Sequence, residues 1–234
     1  MTNNEIKFVR SLSLKKFRDS LGLFVVEGRK LVREAQESGL EVVNQYSEEK
    51  DGAEVMARIS SMSSPSPCLA VVRKPQAPAS VSSFKGLYLA LDAIRDPGNL
   101  GTVIRIADWF GVSAVLASQD TAELYNPKVI QASMGSAFRV PVIYGDLPAL
   151  LSEARAQAVP VLGTFLQGED IYGIELPQDA VLVMGNEANG ISDEVARLCN
   201  TKITIPSFGS RAESLNVSVA TAVCVSEFKR WKKA

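Results

Sequence analysis

The chain contains no histidine. That removes the side chain most often used as a general base near neutral pH, and the commonest metal ligand with it. A Ser–His–Asp or Cys–His hydrolase is excluded. Any proton transfer falls to a carboxylate, Arg, Lys, Tyr or the substrate itself. Cysteine is scarce. Cys68, Cys199 and Cys224 lie far apart, are odd in number and form no C-x-x-C pair. This fits thiols buried as small hydrophobes in a reducing cytoplasm, with no structural zinc or other metal expected. No apolar run approaches the ~18 residues of a membrane span. The polar start Met1–Thr2–Asn3–Asn4–Glu5 is unlike a signal peptide. No membrane association is expected, and the expected location is cytoplasmic. No G-x-G-x-x-G follows any apolar run, which argues against a nucleotide-dependent oxidoreductase. Repeats and low-complexity segments are lacking too.

What is present is enough for a core: 234 residues, 46% of them hydrophobic, room for one large domain or two smaller ones. The net charge of −1 is not that of a generic nucleic-acid binder, yet it is uneven. Lys7, Arg10, Lys15, Lys16, Arg18, Arg29, Lys30 and Arg33 crowd the first 33 residues, against Asp19 and Glu27 between them. The tail Lys229–Arg230–Trp231–Lys232–Lys233 is basic as well. Such ends are either solvated helix surface or a local phosphate-binding face.

Hydrophobic periodicity predicts helices over 3–20, 28–37 and 52–60, with strands at 23–26, 41–44 and 68–72. A stretch rich in Ser and Pro follows. The expected organisation is a small α/β domain over 1–73, a linker over 74–84 and a larger domain over 85–234. In the larger part, strands are expected at 87–91, 114–117, 140–143, 159–162, 180–184 and 202–205. Helices are expected between them at 99–110, 127–134, 147–156 and 192–198, with a closing helix over 214–231. Apolar strands alternating with helices indicate a mainly parallel sheet covered on both faces.

Three polar loops punctuate this alternation where an α/β protein places its chemistry. The first is Asp96–Pro97–Gly98–Asn99–Leu100–Gly101, running to Arg105. Asn99 falls at the N-cap or first turn of a helix, and Gly98 and Gly101 allow close backbone approach to a ligand. A guanidinium at Arg105 suits phosphate or carboxylate. The second, Gly185–Asn186–Glu187–Ala188–Asn189–Gly190, carries one carboxylate and no lysine, so it is not a phosphate loop. The third leads from Ile205 through Gly209 to Ser214–Leu215–Asn216–Val217–Ser218, where Ser214 reads as a helix cap. Asn216 and Ser218 require hydrogen-bond partners if buried.

An Asn–x–Gly–x–x–x–Arg helix start, a Gly–Asn–Glu–x–x–Gly loop and a Ser–Leu–Asn–Val–Ser–Val–Ala helix, in this order, resemble the SpoU/TrmH branch of the SPOUT RNA methyltransferases. The segment Phe24–Val25–Val26–Glu27–Gly28–Arg29–Lys30 resembles the substrate-binding domain often fused to them. The resemblance covers nearly the whole chain. It implies S-adenosylmethionine-dependent methylation of an RNA ribose 2′-hydroxyl, with rRNA favoured over tRNA. It also implies a SPOUT-type sheet with a deep trefoil knot, and a homodimer. On matching positions, the catalytic group is Arg105, Asn99, Glu187, Ser214 and Asn216. The cofactor is expected at Thr164, Gly185, Asn186, Glu187, Ile205, Ser214, Leu215 and Asn216. RNA phosphates are expected at Lys15, Lys16, Arg18, Arg29 and Lys30. The loop from Gly209 to Ser214 is one residue longer than the commonest family spacing. Arginine is normally fully protonated, so steering a phosphate and stabilising negative charge is the less demanding role for Arg105. The other reading is an RNA-binding module of this fold without catalysis.

Overall fold

The computed structural model describes residues 1–76, 80–209 and 213–230. Residues 77–79 of the expected linker, 210–212 of the long loop and 231–234 of the basic tail lie outside the described residues.

Thr2 opens α1 (Asn3–Ser11) with a reciprocal cap, its side chain accepting from Glu5 N–H while Glu5 reaches back. Next come α2 (Lys15–Leu21), β1 (Leu23–Glu27), α3 (Arg29–Glu37), β2 (Val42–Ser47), α4 (Glu48–Asp51), α5 (Ala53–Ile59) and β3 (Cys68–Arg73). The three strands pair antiparallel in the order β1-β3-β2. Side chains alternate across a strand, and in β1 and β3 both sides are buried. Leu23, Val25, Leu69 and Val71 pack with Ile6, Val9, Met56 and Ile59 of α1 and α5. Phe24, Val26, Ala70 and Val72 pack with Leu31, Val32 and Ala35 of α3, and this layer continues into the core of the rest of the chain.

Beyond it run β4 (Leu87–Leu91), α6 (Pro97–Phe110), β5 (Ala114–Ser118), α7 (Pro127–Ser133), β6 (Val142–Gly145), α8 (Leu147–Ala156), β7 (Val161–Asp170), β8 (Ala180–Met184), α9 (Asp193–Ala196), β9 (Thr201–Thr204) and α10 (Val217–Arg230). The six strands form one parallel sheet, ordered β6-β5-β4-β8-β7-β9. Both faces are covered. α6, α7 and α10 contribute Leu100, Ile104, Ile130, Val225 and Phe228 to one layer, and α8 and α9 contribute Leu151, Ala154 and Val195 to the other. The fold class is therefore α/β, as the alternation predicts.

Strand order matters for the site. From β4 the chain runs outward through β5 and β6, then returns on the far side of β4 with β8 as its neighbour. Connections diverge where the order reverses and leave a crevice at the C-terminal ends of those strands. The loops after β4 and β8 flank that point. Two departures from the periodicity bear on the site. β7 runs on to Asp170 through a register shift, Thr164 and Glu169 both facing Ile203, so residues 165–168 bulge out. α10 begins at Val217, not Ser214. Among the described residues no helix is long and apolar enough to cross a membrane.

The antiparallel sheet is locked to the parallel one. The Phe24 ring packs tilted against those of Tyr125 and Phe138, with centroids 4.7 and 6.3 Å away. Gln131 donates to the Glu27 carbonyl at 2.7 Å, and Arg139 bridges Glu34 and Asp108 at 2.7 Å each. Arg18, expected to face RNA, is instead 2% exposed. It donates to the Leu12 and Ser13 carbonyls and pairs with Glu123 at 2.5 Å. A guanidinium offers five donors and tolerates burial when they are satisfied, so this residue is a structural tie and not a docking group. Lys74 joins the same cluster through Asp19 and Glu123. Asp19, hydrogen-bonded to Lys15 and Lys74, is held well down at about 2. Glu123→Ala strands a buried charge, and the expected loss is about 3 kcal/mol. Chemical denaturation measures it, and an unchanged midpoint refutes the structural role.

Candidate active site

The helix that carries the first motif starts earlier than its asparagine. Asp96 caps α6, accepting the Asn99 N–H at 2.8 Å, and Pro97 occupies the first turn. Asn99 is thus in the first turn with its side chain released from capping. Its Nδ2 donates to Glu187 Oε1 in the second loop. Its Oδ1 accepts from Asn216 Nδ2 at 3.0 Å and Ser218 Oγ at 3.4 Å in the third. One carboxamide joins all three motifs.

Each loop is shaped for this junction. Asn216, not Ser214, opens α10: its Oδ1 accepts the N–H groups of Ser218 and Val219 at 2.9 and 3.4 Å. Asparagine caps as well as serine does, and Val217 is the first residue of this helix buried in the core. Ser214 lies exposed in the preceding coil. In the second loop, Asn186 pairs with Gly190 through both peptide groups at 2.9 and 2.8 Å. Its Nδ2 donates to the Ala93 carbonyl at 2.6 Å, and its Oδ1 accepts from Ala188 N–H at 2.9 Å. A Cβ on Gly185 would lie 2.4 Å from the Gly190 carbonyl carbon, so this fold-back requires glycine. Gly101 has a different role from the expected ligand approach. A Cβ there would meet Ala132 Cβ at 2.6 Å and the Val129 carbonyl oxygen at 2.7 Å, so this glycine lets α6 and α7 pack closely.

The second and third loops line a cavity of about 1110 Å³. Thr164, Gly185, Asn186, Glu187, Ile205, Ser214 and Leu215 line it. Asn99 and Asn216 are not in the lining, but they hold Glu187, which is. Thr164 Oγ1 is committed to the Val183 carbonyl at 2.9 Å. Arg105 is outside the lining of this single chain. It lies exposed on α6, and its side chain makes no hydrogen bond or ion pair with the described residues.

Sequence reasoning missed several lining residues. The β7 bulge brings Phe165, Leu166 and Gln167 to the cavity, and no periodicity announces it. Phe208 and Leu166, 93% and 76% exposed, stand at this wall. Apolar exposure at a cavity is a signal that only the folded chain carries. Val217, Ala220 and Cys224 of α10 complete an apolar side. Burial pushes the Cys224 thiol up to about 12 and that of Cys199 to about 11. Neither supplies a thiolate nucleophile near neutral pH. Among the described residues no group of three or more His, Cys, Asp or Glu side chains could hold a metal ion.

The model of the SpoU rRNA methylase family matches residues 86–226. The chain belongs to the SpoU family. Residues 3–63 match the MRM3-like substrate binding domain. Among SpoU relatives, the chain is 32% identical over 95% of its length to the 23S rRNA (guanosine(2553)-2′-O)-methyltransferase RlmP of Bacillus subtilis, and covers 95% of that protein. It is 40% identical to the 23S rRNA (guanosine-2′-O-)-methyltransferase RlmB of Neisseria meningitidis, over 62% of this chain and 58% of that one. In solved structures, an AdoMet-bound rRNA methyltransferase from Sinorhizobium meliloti superposes with a TM-score of 0.89 at 30% identity, covering 100% of this chain and 97% of that one. The SpoU methyltransferase AviRb from Streptomyces viridochromogenes, in complex with AdoMet, gives 0.87 at 25% identity over 98% of each chain.

Asn99→Asp replaces the donor facing Glu187 with a second carboxyl. The junction is expected to loosen, and the amides of Asn186 and Gly190 to exchange about tenfold faster. Hydrogen-exchange mass spectrometry of the 185–191 loop reads this directly, and unchanged protection removes Asn99 as the junction.

Proposed function

We propose that this protein methylates a ribose 2′-hydroxyl of RNA using S-adenosylmethionine, with rRNA favoured over tRNA as substrate. The observation that carries it is the junction at Asn99. It holds three family motifs together at a cavity of suitable size, in a chain whose full-length relatives are named rRNA methyltransferases.

The residues present fit the cofactor. Ile205, Leu215, Val217 and Ala220 offer an apolar side for a flat base. The 205–208 segment lies in neither helix nor strand, so its peptide groups are available to polar edges. Glu187 and Glu213 bring carboxyl groups to the lining, suited to a cationic ligand. When bound, the cofactor supplies an activated methyl group on a sulfonium. The chain's part is alignment and charge control. The 185–190 and 205–208 segments orient the ligand, and Leu166 and Phe208 shield its apolar parts from water. Glu187 is positioned by Asn99, and Asn99 by Asn216. Ser214 and Asn216 border the approach of the hydroxyl. Arg105 steers a substrate phosphate and stabilises negative charge developing on the 2′-oxygen.

The active form is a homodimer. What supports this is the α6 face around Arg105, where Trp109 is 85% exposed, beside the half-exposed Val219 on α10, which packs on α6. A second copy on this face brings an Arg105 toward each cavity. The domain boundaries are 1–73, 74–84 and 85–234, in keeping with two separate sheets. A deep trefoil knot is supported by the path after β9, at the sheet edge. β9 is the edge strand beyond β7 and β8, whereas α10 packs on α6, the helix that follows β4. RNA docks on the exposed Lys15, Lys16, Arg29 and Lys30. The setting is cytoplasmic.

Arg105→Ala is expected to abolish methyl transfer to RNA while the calorimetric Kd for S-adenosylmethionine stays within about threefold, less than one hydrogen bond's worth. Wild-type turnover refutes the role, and no cofactor binding by the unaltered protein refutes the methyltransferase reading. Reversing the charge of Arg29 and Lys30 is expected to weaken RNA binding. The salt slope should fall by about 0.7 to 0.9 for each phosphate no longer neutralised. Unchanged slope and affinity exclude this docking face.

A further inference from the structure

The turn that follows β4 holds a carboxyl group and a strained backbone that the roles above do not use. Asp92 is 8% exposed, and its Oδ2 accepts the Ser192 N–H at 2.7 Å. Its own N–H donates to the Met184 carbonyl at 3.0 Å, the last residue of β8. The next residue, Ala93, has φ of 57°, a left-handed conformation that a residue with a Cβ adopts at a cost. That conformation aims the two peptide groups of Ala93 at different neighbours. Its N–H donates to Ser118 Oγ at 2.9 Å, and its carbonyl accepts Asn186 Nδ2 at 2.6 Å. Thr121 Oγ1 accepts the Ile94 N–H and donates to the Leu91 carbonyl, both at 3.3 Å. The turn is thus held by β5 on one side and grips both ends of the 185–191 loop on the other, at Asn186 and at Ser192.

We propose that Asp92 is a positioning residue of this site: with the strained Ala93 turn it clamps the 185–191 loop at both ends, setting the cofactor wall and, through Glu187, the side chain of Asn99. Asp92 itself is not in the cavity lining. Its effect passes through Ser192 and the loop. Asn186 and Gly190 close the turn on itself, and were that closed turn tied to Ala93 through Asn186 alone it would pivot about the contact, with Glu187 next to the pivot. A second anchor six residues on removes that freedom. Pre-organisation of this kind acts on ligand affinity and on turnover together.

The inference rests on the cavity being a cofactor site, and its test separates the two. Cofactor binding by the unaltered chain is measured first by calorimetry with S-adenosylmethionine. Absence of binding there fails the cofactor reading, whatever the variants do. Given binding, Asp92→Ala is expected to raise the Kd about tenfold, the loss of one hydrogen bond to a charged group. Asp92→Asn keeps an acceptor oxygen for the Ser192 N–H and is expected to stay within about threefold of the unaltered chain. Ser192→Pro provides the same test from the other side. Its φ of −62° already suits proline and its side chain makes no cap bond, so chiefly the N–H is lost. The expected Kd is again about tenfold higher. Thermal unfolding accompanies each variant. A merely structural role lowers the melting temperature and leaves the Kd of the folded protein unchanged, and that result in either Asp92→Ala or Ser192→Pro overturns the proposal. So does an Asp92→Asn variant as impaired as Asp92→Ala.

Discussion

The site depends on one carboxamide. Asn99 can hold two loops at once only because Asp96 takes over the capping of α6. Had Asn99 capped the helix itself, its oxygen would have been spent on a backbone N–H. Freed from that duty, it donates to Glu187 and accepts from Asn216 and Ser218. The partners lie 88 and 117 residues away along the chain. A single short side chain bridges them because strand order has already brought β4 beside β8 and α10 onto α6.

Beneath that junction the backbone is built for stiffness. β4 and β8 are buried on both faces and pair over five residues, so the loops emerging from them start from fixed points. The turn at Asp92 and Ala93 accepts local strain, while Ser118, Thr121 and Asn186 hold it in place. Strain of that sort persists only where surrounding contacts over-determine the conformation. The same economy governs the N-terminal sheet. Its inner layer belongs to the core of the larger part, and Arg18, Glu123, Arg139 and Glu34 bind the two across the seam. Basic groups left on the outer surface therefore keep a set distance from the cavity.

The lack of histidine has a structural echo. The thiols of the half-buried Cys199 and the buried Cys224 are pushed toward the protonated form by desolvation, and Glu187 is engaged with Asn99. In the proposed reaction, chemistry at this cavity leans on alignment and on charge placed by Arg105, not on a conventional proton shuttle. That division of labour suits a reaction whose leaving group needs no proton.

Sequence alone determined the alternation of helices and strands, the parallel sheet, the three motif loops and the polar identity of Asn99, Glu187 and Asn216. These follow from apolar periodicity and from turn chemistry, which are local along the chain. It misassigned Arg18 because a cation in a basic cluster reads as surface. Only the tertiary fold shows Glu123, 105 residues away, closing over it. It placed the cap of α10 at Ser214 because Ser and Asn are equivalent caps, and the choice fell to where Val217 meets the core. It took Gly101 for a ligand contact, since the approach of α7 is invisible in one dimension. The β7 bulge, the cavity it helps to wall and the clamp at Asp92 were decided by strand register and by contacts between residues about a hundred positions apart. Such contacts have no signature within any window of the sequence, because their energy exists only once the sheet has brought the loops together.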